Sequence, residues 1–194
     1  MSEKTFLIFL ASGTIIQYLI YCLYLRNLSR LLKAIQPANR HIAPGQVWLL
    51  LLWIINLICG YLDTQELEYL RTSLVRDVCR GIDISVYLFL LFWQFRVVHS
   101  IAASIENEYK SRSLPISSRP TYYIGLVMVL LGVVYIAEFL PDNNFTSTVA
   151  QIGGIGNTVF WIIYWIRTHQ YKKKIQAMPP YQNANESPVF SNLY

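Results

Sequence analysis

Apolar positions along this chain gather into long runs rather than alternating with polar ones. Thr5–Leu25 carries no charge between Lys4 and Arg26, and Ile42–Leu62, Pro120–Ala137 and Asn143–Ile166 are equally free of charge. A fifth run, Ile84–Phe95, stops at Arg96 and resumes through Val97, Val98 and Ile101. Crossing roughly 30 Å of hydrocarbon takes about 20 residues of helix. The fifth run reaches that length only if it carries Arg96 within it or at its border. The pattern predicts an all-α, polytopic membrane helix bundle with five transmembrane helices, over residues 5–25, 43–62, 84–105, 120–140 and 148–166. Together these make one transmembrane domain over residues 1–176.

Between the second and third spans the periodicity changes. Leu67, Leu70, Leu74 and Val78 recur at helical spacing while Glu66, Glu68, Arg71, Arg76 and Asp77 fall elsewhere. That predicts an extracytoplasmic amphipathic helix over 63–80, lying on the membrane surface or capping the bundle. Ile101–Arg112 reads as a cytoplasmic extension of the third helix, with Glu106 and Lys110 spaced i,i+4. From Met178-Pro179-Pro180-Tyr181 the chain turns polar, and residues 177–194 are expected to form a disordered cytoplasmic tail.

Composition agrees with this class. Hydrophobic residues make up 54% of the chain and charged residues only 14%, against about a quarter charged in soluble domains. The first run is longer than the roughly 7–15-residue core of a signal peptide, so it reads as a span.

Charge then orients the chain, because Lys and Arg collect on cytoplasmic loops. Arg26, Arg30, Lys33 and Arg40 follow span one, and Lys110, Arg112 and Arg119 follow span three, with Arg96 nearer the membrane. Arg167, Lys172, Lys173 and Lys174 follow span five, whereas Lys4, Arg71, Arg76 and Arg80 fall on the opposite side. Twelve against four puts the N-terminus outside and the C-terminus in the cytoplasm of a cell (inner) membrane. A four-span chain would strand Lys110, Arg112, Arg119 and the last lysine cluster outside, so the count also requires the short third span to cross. The net charge of +5 is met by anionic headgroups of the lipid bilayer and calls for no nucleic-acid partner.

Helices in lipid meet through small and polar residues, and each span carries such a stripe at helical period. Gly13, Gln17, Tyr21 and Tyr24 mark span one, and Gln46, Trp53, Asn56 and Gly60 mark span two. Asp83, Tyr87 and Gln94 share a side of span three, Gly125 and Gly132 align on span four, and Gly153, Asn157 and Tyr164 on span five. These stripes either pack helices together or line a polar path.

A charge at membrane depth costs about 2.5–3.5 kcal/mol unless paired or hydrated. The ionisable candidates are Asp83, Arg96, His99 and Glu138, beside the amides Asn56, Gln94 and Asn157. Arg96 and His99 lie about 60° apart on their helix, opposite Asp83 and Gln94. Asp83 and Glu138 fall near the outer boundary, and Arg96 can snorkel toward the cytoplasm.

Catalytic motifs are missing: no zinc-binding His-Glu-x-x-His, no Gly-rich phosphate loop before a helix and no Gly-x-Ser-x-Gly. His41, His99 and His169 sit on separate segments, and Cys22, Cys59 and Cys79 lack metal-like spacing. No catalytic residue, metal ligand or cofactor is expected.

Several segments resemble a family of small multi-spanning proteins common in Bacteroidota, similar to the group labelled domain of unknown function 4328. The resemblance rests on Asn39-Arg40-His41-Ile42-Ala43-Pro44-Gly45-Gln46-Val47-Trp48-Leu49, on Asn56-Leu57, and on Phe92-Trp93-Gln94-Phe95 leading to Ser104-Ile105-Glu106-Asn107-Glu108. Trp161-Ile162-Ile163-Tyr164-Trp165 and Tyr171-Lys172 complete it. About 35 residues, near Ile58 to Leu91, separate segments that the family pattern runs together. The resemblance implies a membrane protein and supplies no site.

The expected function is that of a non-enzymatic membrane scaffold or accessory subunit, meeting a protein partner through the 63–80 helix or the C-terminal tail. A transporter or channel component with polar faces lining a path is the alternative. A membrane-embedded enzyme acting on lipid or quinone is the third reading, and it needs Arg96, His99 and a carboxylate to converge.

Overall fold

The computed structural model describes residues 3–52, 73–135 and 144–179. All the regular structure in them is helical: α1 (Glu3–Ala34), the 3-10 turns η1 (Pro37–Asn39) and η2 (Gln46–Leu52), α2 (Ser73–Ser111), α3 (Tyr122–Val134) and α4 (Asn144–Gln176). Two of these helices, over Ile84–Ser111 and Phe145–Gln176, are long and apolar enough to cross a membrane.

Chain breaks follow local chemistry. α1 stops ahead of Pro37, with Gln36 extended at ψ 142°, as the residue before or near a proline ring favours. The Arg40 guanidinium turns back to donate to the Ile35 and Lys33 carbonyl oxygens at 2.8 and 3.1 Å, a cation on the negative end of the helix. α2 ends in a Schellman turn: Leu114 N–H bonds to the Tyr109 carbonyl and Ser113 N–H to Lys110. Ser113 carries the left-handed conformation this turn needs, φ 55°.

Two boundaries differ from the sequence reading. No break separates the amphipathic segment from the third span, for Ser73–Arg80 is the first part of the unbroken 39-residue α2. The second span starts as a 3-10 helix at Gln46–Leu52. The Pro44-Gly45 turn precedes it, and the Trp93 indole N–H donates to the Gln46 carbonyl at 3.2 Å, drawing on an acceptor of its first turn. Residues 53–62 of that span, the 63–72 part of the outer segment, and the tail beyond Pro179 lie outside the described residues.

α1, α2 and α4 have 32, 39 and 33 residues, so each is about 50 Å long or more. The tightest core lies toward their C-terminal ends. Leu28, Leu31, Leu32, Ile35, Ile101 and Ile105 are wholly buried, on the stretches after span one and late in span three. Packing of this density is what burial of apolar surface from water drives. Toward the other end, packing relies on close backbone approach: a Cβ on Gly153 would sit 2.9 Å from the Tyr135 backbone nitrogen. Outward faces are apolar, with Phe92, Ile152 and Ile155 more than 60% exposed.

Candidate functional site: a cavity among four helices

Above the packed end lies a cavity of about 890 Å³. α1 lines it with Gly13, Gln17 and Tyr21, and α2 with Tyr87, Leu91 and Gln94. α3 contributes Gly132 and Tyr135, and α4 contributes Gly154, Asn157, Thr158 and Trp161. Every described stripe that the sequence marks on these helices sends residues here, and none of the described lining residues is charged.

Part of the polar chemistry is used to hold the walls. Asn157 Nδ2 donates to the Met128 carbonyl oxygen at 2.7 Å, and the Tyr87 hydroxyl donates to the Gly132 carbonyl oxygen at 2.7 Å. Met128 and Gly132 are one turn apart on α3, so α4 and α2 grip successive turns of the same helix. Gln94 donates its amide to Met128 Sδ at 3.6 Å. Another part is not used up. The Trp161 indole N–H is buried and has no hydrogen-bond partner among the described residues. Its ring is fixed by Tyr21, stacked at 6.2 Å, and by Tyr24 edge-on at 5.2 Å. Burying an unpaired donor costs roughly 1–3 kcal/mol, and this nitrogen has essentially no accessible surface, so it is packed into the wall.

The sequence-predicted candidates separate. Gln94 and Asn157 come together at Met128 in the cavity wall. Arg96 and His99 point elsewhere: both are exposed, with Arg96 over the Trp93 ring at 5.2 Å and His99 edge-on to Tyr122 at 5.8 Å. No described carboxylate forms an ion pair with either. Asn56 and Glu138 lie outside the described residues, as does the side chain of Asp83, whose backbone is in α2. Among the described residues no three His, Cys, Asp or Glu groups gather as metal ligands.

Two polar clusters at the packed end escape sequence reasoning. Glu108 is completely buried and accepts from Gln36 N–H at 3.0 Å, Asn39 Nδ2 at 2.8 Å and the Arg112 guanidinium at 2.7 and 3.1 Å. Burial acts to raise its pKa, but the bonds from Asn39, Arg112 and Gln36 outweigh that and hold it below the ordinary value. Arg112 also donates to the Pro179 carbonyl at 2.7 Å. Thus α1, α2 and the chain after α4 are tied through one carboxylate. In the second cluster, Lys172 Nζ donates to Asn27 Oδ1 at 2.8 Å and lies 3.2 Å from His169 Nδ1, while Asn27 Nδ2 donates to Thr168 Oγ1 at 3.4 Å. The legible signal for Glu108 was its place on the stripe Val97, Ile101, Ile105, Glu108. A carboxylate in an apolar register is the mark of a buried pair.

No family model, curated protein or solved structure matches this chain.

Proposed function

We propose that this is an integral membrane protein of five spans, N-terminus outside and C-terminus in the cytoplasm, that holds an uncharged, lipid-soluble molecule in its four-helix cavity. The observation that carries this reading is the convergence of polar stripes from α1, α2 and α4 on one cavity whose described lining is uncharged and rich in aromatic rings. Charged solutes find no counter-charge among the described lining residues. An apolar, uncharged molecule fits a wall built from Tyr21, Tyr87, Tyr135 and Trp161. The packed core from Tyr24 to Ile35 closes the cavity toward the cytoplasmic end, which favours binding or one-sided access over an open pore. Exposed Phe92, Ile152 and Ile155 fit lipid, since a water-facing surface of this kind is unusual in soluble monomers.

The test is to purify the full chain in mild detergent, extract it with organic solvent and identify neutral lipid-soluble molecules by mass spectrometry. Replacement of Gly13 by Phe fills open space beside the cavity and should abolish the co-purifying species without unfolding the protein. Equal recovery from both proteins would remove the cavity from the account.

An accessory subunit is the second reading. Ile15, Leu19 and Leu23 of α1 are 60%, 55% and 53% exposed, a face that a partner helix could cover as well as lipid. That reading requires a stoichiometric partner in native membranes, through this face, the 63–80 segment or the tail.

A further inference from the structure

Past the ends of the first and fifth spans, α1 and α4 flank a second cavity of about 520 Å³. Arg30, Lys33 and Lys172 line it, with Ala34 and Ile175 as its apolar part, and no carboxylate takes part among the described residues. None of the three cations forms an ion pair among the described residues, whose bridges are Lys110–Glu106 and Arg112–Glu108. Lys172 is not a loose surface lysine: Asn27 fixes its Nζ at 2.8 Å, and Asn27 is itself buried. Its pKa is lowered by burial first, then by the Arg30 and Lys173 charges; that of neighbouring His169 is lowered by burial, then by Lys172 and Lys173. Positive potential is concentrated here without compensation.

Depth identifies what would supply the missing charge. Arg30 lies five residues beyond Leu25 and Lys172 six beyond Ile166, so both stand about 7–9 Å past the span ends. The headgroup layer occupies roughly the first 5–8 Å outside the hydrocarbon. Basic pockets between helices on the cytoplasmic side are where anionic headgroups bind, and an Arg fork pairs with phosphate oxygens in bidentate geometry.

We infer that the pocket between Arg30, Lys33 and Lys172 binds a phosphate group, supplied by the headgroup of an anionic lipid in the cytoplasmic leaflet. The inference rests on the membrane reading of the helices and is independent of the larger cavity. Failure of the membrane reading would show as a chain that stays soluble without detergent, whereas failure of the pocket leaves insertion intact.

The experiment is native mass spectrometry of the full chain with phosphatidylglycerol and phosphatidylcholine competing in equal amounts. The wild type should retain phosphatidylglycerol selectively, and the R30Q/K172Q variant should lose roughly thirtyfold in that preference. R30Q/K33Q, at two exposed positions, provides the same reading if loss of Lys172 disturbs folding. R119Q/K174Q removes two charges elsewhere on the same end and should keep the selectivity. Equal losses in the control would reduce the effect to general surface charge and overturn the pocket. Retention by both pocket variants would overturn it as well. Displacement of the lipid by millimolar inorganic phosphate would overturn the headgroup assignment in favour of a soluble anion.

Discussion

Asn157 on α4 holds Met128 on α3 through a side-chain amide to main-chain carbonyl bond of 2.7 Å. A backbone oxygen inside lipid has few other partners, so such a bond fixes both the spacing and the rotation of two helices. Replacement of Asn157 by Leu should destabilise the protein by about 0.6–1.7 kcal/mol, the range for single interhelical hydrogen bonds in membranes. Thermal unfolding in detergent measures it, and an unchanged midpoint would remove this bond from the forces holding α3 to α4.

Gly125 is an obligatory contact. A Cβ there would overlap the Val98 γ-methyl groups and come within 2.9 Å of the Tyr164 ring, all fully packed side chains. Gly125→Leu should cost about 1–3 kcal/mol or more through overpacking. Gly13→Ala, at a position with nothing within 4 Å, should be neutral or slightly stabilising in the same assay. Equal sensitivity at the two sites would contradict the packing described.

Glu108 gives a pH signature. Its carboxyl is held below the ordinary value of 4.5 by the Asn39, Arg112 and Gln36 bonds acting against burial. A depressed native value means the folded state favours the ionised form, so this stabilisation is complete above the unfolded value. It is lost as the pH falls from about 4.5 through the lower native value. Glu108→Ala removes the carboxylate that Arg112, Asn39 and Gln36 bond and should cost roughly 3–5 kcal/mol at neutral pH. The variant's stability should also decline less steeply in acid; parallel acid curves for variant and wild type would refute the assignment.

Ser113 occupies the left-handed position of the turn after α2 at φ 55°. A side chain there costs about 1–2 kcal/mol that glycine avoids. Ser113→Gly should therefore raise stability by up to about 1 kcal/mol, read as a higher unfolding midpoint.

Orientation is open to a direct check. Green fluorescent protein fused after Tyr194 should fluoresce, and alkaline phosphatase fused at the same place should be inactive. The reverse pattern would overturn the charge-based topology.

Helix content and the cavity wall were legible in the sequence because both are written in local spacing. Gln94, Asn157, Gly13 and Gly132 lie at helical period, and period alone places them on inward faces. Arg96 stood out as a charge in an apolar run, yet it is exposed and lies over the Trp93 ring, away from the cavity. The Glu108 junction was hidden because its partners Gln36 and Asn39 are about 70 residues away and carry no charge of their own. Asn27 met the same fate, since a lone amide beyond a span end looks like ordinary loop chemistry until Lys172 is brought to it. The continuity of α2 across Arg80–Ile84 was masked by the change from amphipathic to uniformly apolar pattern, a change of surroundings along one helix.

Helices gripped at one end behave as levers. The grip runs from Leu25, Val97 and Tyr164 onward, and the walls around Gly13 and Tyr87 stand ten or more residues away, an arm of about 15–20 Å. The lever is not free: Asn157 and Tyr87 latch onto successive turns of the third helix near the far end, and these two bonds set how wide the cavity stands.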